Sequence, residues 1–130
     1  MSTPVPSRRS RILLVDDEPD ILTTLIEVLE AEGYEVLSAH SARDAFMVIE
    51  ASPPDVILLD ITMPHMDGVT ALRRIRAINP EVPVIMLTGN ADEKVARDTL
   101  RRGAFDYVAK PFDVAHLRRV VAAAVALRGT

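Results

Sequence analysis

The sequence predicts an α/β fold: a doubly wound sheet of five parallel strands in the order 2-1-3-4-5, with helices on both faces. Three observations carry this expectation. Short apolar runs alternate with stretches of helical period along the chain, a pattern that implies right-handed strand–helix–strand crossovers around a parallel sheet. The runs Ile12–Val15 and Val56–Leu59 contain only Ile, Leu and Val, as suits strands covered on both faces. The run Glu35–Ala39 is less apolar and suits an edge, which leaves the first and third strands side by side in the middle.

Residues 1–10 hold two prolines, three serines and two arginines without an apolar period, and are expected to form a flexible tail before a single domain over 11–128. The first strand, Ile12–Val15, stops at Asp16-Asp17-Glu18-Pro19. Pro19 suits the first turn of a helix whose inward side would be Ile21, Leu22, Leu25, Ile26 and Leu29, with Gly33 as its C′ residue. After the second strand, Ser41-Ala42-Arg43-Asp44 has the form of a capping box and opens a helix bearing Ala45, Phe46 and Ile49. Pro53-Pro54 ends that helix.

The third strand, Val56–Leu59, delivers Asp60 to its end, and a loop is expected over Ile61–Gly68. The next helix should bury Leu72, Ile75 and Ile78 and turn Arg73, Arg74 and Arg76 largely outward, until Asn79-Pro80 stops it. Val84–Leu87 is the fourth strand and ends at Thr88-Gly89-Asn90. A helix over Ala91–Arg102 has only Val95, Ala96, Thr99 and Leu100 to anchor it among many charges, which makes it the element most open to movement. Gly103 caps it. The fifth strand is Asp106–Ala109, broken by Lys110-Pro111. Asp113 then caps a last helix with Val114, Leu117, Val120, Val121 and Val125 on one side.

Composition narrows the function. The 130 residues carry a net charge of −4 and no cysteine, so disulfides, thiol chemistry and cysteine-based zinc sites are excluded. Arginines are spread over several helices rather than gathered on one face, so no direct nucleic-acid partner is expected. His40, His65 and His116 show no metal-ligand spacing. No apolar run approaches the roughly 20 residues of a membrane span, and the N-terminus lacks the apolar core of a signal peptide, so a cytoplasmic protein without membrane contact is expected.

In a parallel sheet Asp16, Asp17, Asp60, Thr88 and Lys110 all stand at carboxyl ends, on the edge where open α/β sheets bind ligands. The crevice opens where the winding reverses, between the first and third strands. Three clustered carboxylates repel unless a cation holds them, and Mg2+ suits them because it accepts one or two carboxylates, keeps waters and takes phosphate oxygens. Lys110 is one of two lysines beside thirteen arginines, and its ammonium can pair with a carboxylate at rest and with a phosphoryl oxygen after reaction. Thr88 offers a hydroxyl, with Gly89 leaving its backbone N–H open beside it. Together they suit attack by an aspartate carboxylate on phosphorus while cations and donors share the developing charge.

The pair Asp16-Asp17, Asp60 followed by Met63-Pro64 and Asp67-Gly68, Thr88, and Lys110-Pro111 together resemble the receiver domain of two-component response regulators, a flavodoxin-like fold. The resemblance spans about Arg11 to Leu127. It implies that Asp60 is the phosphoacceptor, that Asp17, Asp60 and the Thr62 carbonyl bind Mg2+ directly, and that Asp16 acts through a metal-bound water. The donor it implies is a phosphohistidine on a histidine kinase or histidine phosphotransfer protein. Beyond transfer to its own Asp60 and autodephosphorylation, no enzyme activity is expected. Gly89 stands where such domains often have Ala.

The resemblance and the sharp turn after Lys110 both imply a cis Lys110–Pro111 peptide. Thr88 and Tyr107 are the expected switch pair. The expected output face is the helix Ala91–Arg102, the fifth strand and the last helix, with Arg97, Arg101, Asp106 and Arg118 facing a downstream protein or a second copy in a phosphorylation-dependent homodimer. Other readings are a Mg2+-dependent phosphohydrolase, which would need a second Asp where Thr62 stands, a flavodoxin-like cofactor binder, and a pseudo-receiver used only for docking.

Overall fold

The computed structural model describes residues 9–63, 66–89 and 93–129. Five parallel strands form the sheet: β1 (Arg11–Val15), β2 (Glu35–Ala39), β3 (Val56–Asp60), β6 (Val84–Thr88) and β7 (Asp106–Ala109). A small antiparallel hairpin, β4 (Thr62–Met63) with β5 (Met66–Asp67), occupies part of the expected loop after Asp60. The sheet order is β2-β1-β3-β6-β7, which is 2-1-3-4-5 counted over the sheet strands alone. Five helices connect them: α1 (Pro19–Ala31), α2 (Ala42–Ala51), α3 (Gly68–Ile78), α4 (Glu93–Arg101) and α5 (Val114–Gly129).

The alternation of side chains along each strand builds two cores. Leu13, Val15, Ile57, Leu59, Val84 and Met86 pack toward Ala45 and Ile49 of α2, Leu72 and Ile75 of α3, and Ala96 of α4. The intervening Ile12, Leu14, Val56, Leu58, Ile85 and Leu87 pack toward Leu22, Leu25 and Leu29 of α1 and Leu117, Val121 and Ala124 of α5. Every residue of β3 and β6 is buried, whereas β2 at the edge is only partly covered. That difference is why the central strands read as unbroken apolar runs and the edge strand does not.

Helix ends follow local chemistry. Ser41 caps α2 by accepting from the Asp44 N–H, and Asp67 caps α3 by accepting from the Thr70 N–H. Gly33 and Gly103 adopt φ of +91° and +102° after α1 and α4, a region that costs other residues strain.

Several expectations need correction. Ile78 is exposed because it sits at the edge of the α3 stripe on the helix's last residue, beyond Ile75, where the inward face has run out. Val114 is likewise exposed at the first residue of α5, whose buried stripe instead includes Ala124. Arg76 does not face outward: its half-buried guanidinium donates to the Val82 carbonyl and, at 2.8 Å, to the Gly103 carbonyl. Burial pushes its pKa down. Residues 1–8 of the expected tail, Pro64, His65, and the expected start of the fourth helix at Ala91 lie outside the described residues. No helix among the described residues is long and apolar enough to cross a membrane.

Candidate functional site

Four strand ends build the site. Asp16 follows β1 directly, and its N–H donates to the carbonyl of Ala39 at the end of β2 at 3.2 Å, which extends the β1–β2 pairing by one residue and holds Asp16 at the strand end. Asp60 closes β3 in register with Leu87, and Ile61 N–H donates to the Leu87 carbonyl at 3.0 Å. Thr88 ends β6 opposite Ala109 of β7, and the Lys110 N–H donates to the Thr88 carbonyl at 2.7 Å. The Lys110–Pro111 peptide is cis.

The side chains meet at one ammonium. Lys110 Nζ lies 3.0 Å from Asp16 Oδ2, 3.4 Å from Asp60 Oδ1 and 3.8 Å from Glu18 Oε1. Burial works to lower the Lys110 pKa, but the hydrogen bond to Asp16 and the charges of Asp60 and Asp16 outweigh it and hold the pKa above its ordinary value. Asp16 is fully buried and uses both oxygens, since Oδ1 accepts from the Glu18 N–H at 2.9 Å. Asp60 is buried and Thr88 is buried with its hydroxyl donating to the Gly89 carbonyl at 2.9 Å.

Asp16, Asp17 and Glu18 can each offer a carboxylate oxygen within 4.8 Å of the others. Three carboxylates beside one ammonium leave surplus negative charge, and hard oxygen donors of this kind suit a divalent cation such as Mg2+. The sequence expectation joined Asp60 and the Thr62 carbonyl to Asp16 and Asp17; Glu18 is the neighbouring acid it did not name. Glu18 stands at the N-cap of α1 with extended backbone, and Asp16, Asp60 and Glu18 all border the Lys110 ammonium. Thr62 opens β4 two residues beyond Asp60, paired with Asp67 across the hairpin.

Gly68 is a second residue whose part the sequence left unexplained. Its N–H donates to the Ile61 carbonyl at 2.8 Å, and a Cβ there would lie 2.7 Å from Ile61 Cα. Only glycine lets α3 start this close to the residue following Asp60.

Thr88 and Tyr107 share one face of the sheet, because Tyr107 pairs with Met86 two residues before Thr88. The tyrosine is partly buried against the core on the α2–α4 side. It also borders a cavity of about 400 Å³ with Asp106, Ala109 and His116. A second cavity of about 520 Å³ runs beside the site, lined by Glu18, Asp20, Ile21, Thr24, Lys110, Pro111 and Phe112. Of the charges expected on the output face, Arg97 pairs with Glu93 at 2.9 Å along α4. Arg118 lies 3.7 Å from Glu32 at the end of α1.

Comparison with known proteins gives concordant results. The family described as the response regulator receiver domain matches residues 12–122. The chain is 41% identical over 119 residues to regulatory protein AtoC of Escherichia coli, covering 92% of this chain and 26% of AtoC. It is 41% identical over 108 residues to the nitrogen assimilation regulatory protein NtrX of Azorhizobium caulinodans, covering 82% of this chain and 24% of that protein. The chain thus spans about a quarter of the length of these curated relatives.

Among solved structures, a response regulator receiver domain protein from Clostridium thermocellum superposes with a TM-score of 0.87 at 34% identity, covering 92% of this chain and 97% of the other. The receiver domain of NtrX from Brucella abortus gives a TM-score of 0.85 at 36% identity, covering 88% and 97%. The strand order, the acid pocket closed by Lys110 and these matches together place the chain in the response regulator receiver domain family.

Proposed function

We propose that the protein is a phosphorylation-operated signalling switch whose acceptor is Asp60, with a phosphohistidine of a histidine kinase or histidine phosphotransfer protein as donor. The observation that carries this reading is the Lys110 ammonium, held between Asp16 at 3.0 Å and Asp60 at 3.4 Å where four strand ends converge. An Asp60 oxygen attacks phosphorus in line, and the bond from phosphorus to the donor imidazole breaks, leaving the imidazole to take up a proton. Lys110 then transfers its pairing from Asp60 to a phosphoryl oxygen, and Thr88 turns its hydroxyl from the Gly89 carbonyl to the phosphoryl group.

Asp17 and Asp60, with the Thr62 carbonyl, would hold Mg2+, and Asp16 and Glu18 would add to the acidic surroundings that favour it; a bound ion would supply positive charge to offset the repulsion of an incoming phosphoryl group. The chemistry is self-catalysed transfer and hydrolysis rather than turnover of an external substrate. Inward rotation of Thr88 frees space for Tyr107, and α4, β7 and α5 change shape for a downstream protein or a second copy. A cytoplasmic setting fits a kinase-fed switch. Relatives such as AtoC are named as regulatory proteins, which supports a controlling role.

The test is mass spectrometry after exposure to acetyl phosphate with Mg2+. One phosphoryl group on the wild type and none on Asp60→Asn is the expected result. Labelling of Asp60→Asn at the wild-type rate refutes the acceptor assignment. Beryllofluoride, a stable phosphoryl mimic, should alter amide exchange within residues 93–110; equal protection with and without it refutes the output face.

A further inference from the structure

A phosphoryl group on Asp60 forms a mixed anhydride, which is activated at carbon as well as at phosphorus. Reaction at carbon endangers the chain itself. The amide nitrogen of the following residue can close a cyclic imide on Cγ: the N–Cγ bond forms, the Cγ–O bond to phosphate breaks, phosphate leaves with that electron pair, and the amide proton goes to solvent. Water then opens the imide at either carbonyl, so the residue returns as aspartate or as isoaspartate, with its backbone rerouted through the side chain. For Asp60 the nitrogen belongs to Ile61.

Three observations close this route. The Ile61 N–H donates to the Leu87 carbonyl at 3.0 Å and so continues the β3–β6 ladder past Asp60, which is itself in register with Leu87. An amide nitrogen attacks only after giving up its proton, and here that proton is held by a carbonyl rather than a base, where Asp60 and Ile61 are each only 3% exposed. Strand geometry also keeps the reacting groups apart, since a side chain stands off the sheet while the next N–H lies in its plane. The Asp60 carboxylate accordingly reaches Lys110 Nζ at 3.4 Å. Finally, the Ile61 carbonyl accepts from the Gly68 N–H at 2.8 Å, so the residue cannot rotate without giving up bonds on both sides.

We propose that the Leu87 carbonyl locks the Asp60–Ile61 peptide, so that phosphoryl-Asp60 is discharged only at phosphorus and the acceptor is not lost to imide formation. The inference rests on Asp60 being the acceptor. The protection belongs to the fold rather than to the local sequence: a chain that unfolds while phosphorylated releases the Ile61 N–H and becomes its own target.

The experiment phosphorylates the wild type with acetyl phosphate and Mg2+, removes the donor, and follows decay in heavy-oxygen water, either in the native state or in urea at the same pH. Attack at phosphorus puts the heavy oxygen into the released phosphate. Imide formation puts it into residue 60 and leaves part of the chain with isoaspartate there; peptide mass spectrometry reads both. Imide formation should be at least about a hundredfold slower in the native state than in urea, because central strands open only with the fold as a whole. Ile61→Ala keeps the N–H but removes the β-branched side chain that crowds it, and with the bond to Leu87 verified by amide exchange it should behave like wild type. If that variant does not fold, the comparison of native and unfolded wild type decides alone. Heavy oxygen or isoaspartate at residue 60 after native decay overturns the lock. So does an unfolded chain that discharges without isoaspartate, since the peptide then needs no protection. Imide formation in native Ile61→Ala with the bond intact assigns the protection to the side chain and overturns the lock as well. A wild type that takes up no phosphoryl group on Asp60 overturns the acceptor assignment and the lock together.

Discussion

Replacing Gly68 by alanine sets two effects of opposite sign against each other. Alanine favours helix over glycine by at most about 1 kcal/mol, and less at the first residue of α3, so propensity alone forecasts a more stable protein. Against this, the new Cβ would stand 2.7 Å from Ile61 Cα, 3.2 Å from the Ile61 oxygen and 3.1 Å from Met86 Cε. Met86 can swing its methyl aside. Ile61 cannot, because its N–H is tied to Leu87 and its neighbour Asp60 is part of β3. Overpacking of this kind costs about 1–3 kcal/mol, so the net loss should be about 1–2 kcal/mol, or about 3–8 °C in Tm.

Urea denaturation with an unchanged m value measures it. Gly33→Ala is the control: φ is +91° with nothing within 4 Å of a Cβ, so it carries backbone strain of about 1 kcal/mol without a clash. The two variants should separate in the acetyl phosphate assay, since only Gly68→Ala displaces the residue beside Asp60, the proposed acceptor, and should slow its labelling. A Gly68→Ala protein as stable as wild type would show that α3 can back away from Ile61, and the reasoning from close approach would fail.

Three further outcomes follow from the same geometry. Lys110→Ala should lower stability without Mg2+, since it strips the cation from buried Asp16 and Asp60, and added Mg2+ should stabilise it at least as much as wild type in urea titrations; loss of the Mg2+ effect would contradict the place given to Lys110. Asp67→Ala should cost about 1 kcal/mol at neutral pH through loss of the cap on Thr70. The Thr70 N–H holds the Asp67 carboxyl below its ordinary 3.8, so its contribution is complete above that value and lost as pH falls through the lower folded value; the gap to wild type must narrow in acid, and a constant gap refutes the charged cap. Arg76→Met should leave the Val82 and Gly103 carbonyls without their donor, cost about 1–3 kcal/mol and speed amide exchange at Gly103 and Ala104; exchange at the wild-type rate would show that the arginine is dispensable there.

What the sequence disclosed and what it withheld divide along a physical line. Val56–Leu59 and Val84–Leu87 were legible because burial on both faces admits nothing polar, so the first polar residue, Asp60 or Thr88, marks the site edge. Gly103 was legible because a helix must end in a left-handed residue there. Helix ends were less so: Ile78 and Val114 keep the apolar spacing after the packing partner has gone. Arg76 has an outward period, but a long stem lets its head turn back to two carbonyls. Glu18 was masked by sitting next to a helix start, where an acid is ordinarily explained by the helix dipole. The hairpin of β4 and β5 is too short to leave any alternation in the sequence.

The bond from Arg76 to the Gly103 carbonyl has a mechanical meaning. It fastens the trailing end of α4 to α3, and α3 in turn rests against Ile61 through Gly68. A nine-residue helix is about 13 Å long, so a swing of about 10° about that fastened end carries the leading end through about 2 Å while Gly103 hardly moves. In such a swing the Arg76 guanidinium would serve as a fulcrum, and the greatest travel would fall at Glu93 and Lys94, the helix residues closest in sequence to Thr88.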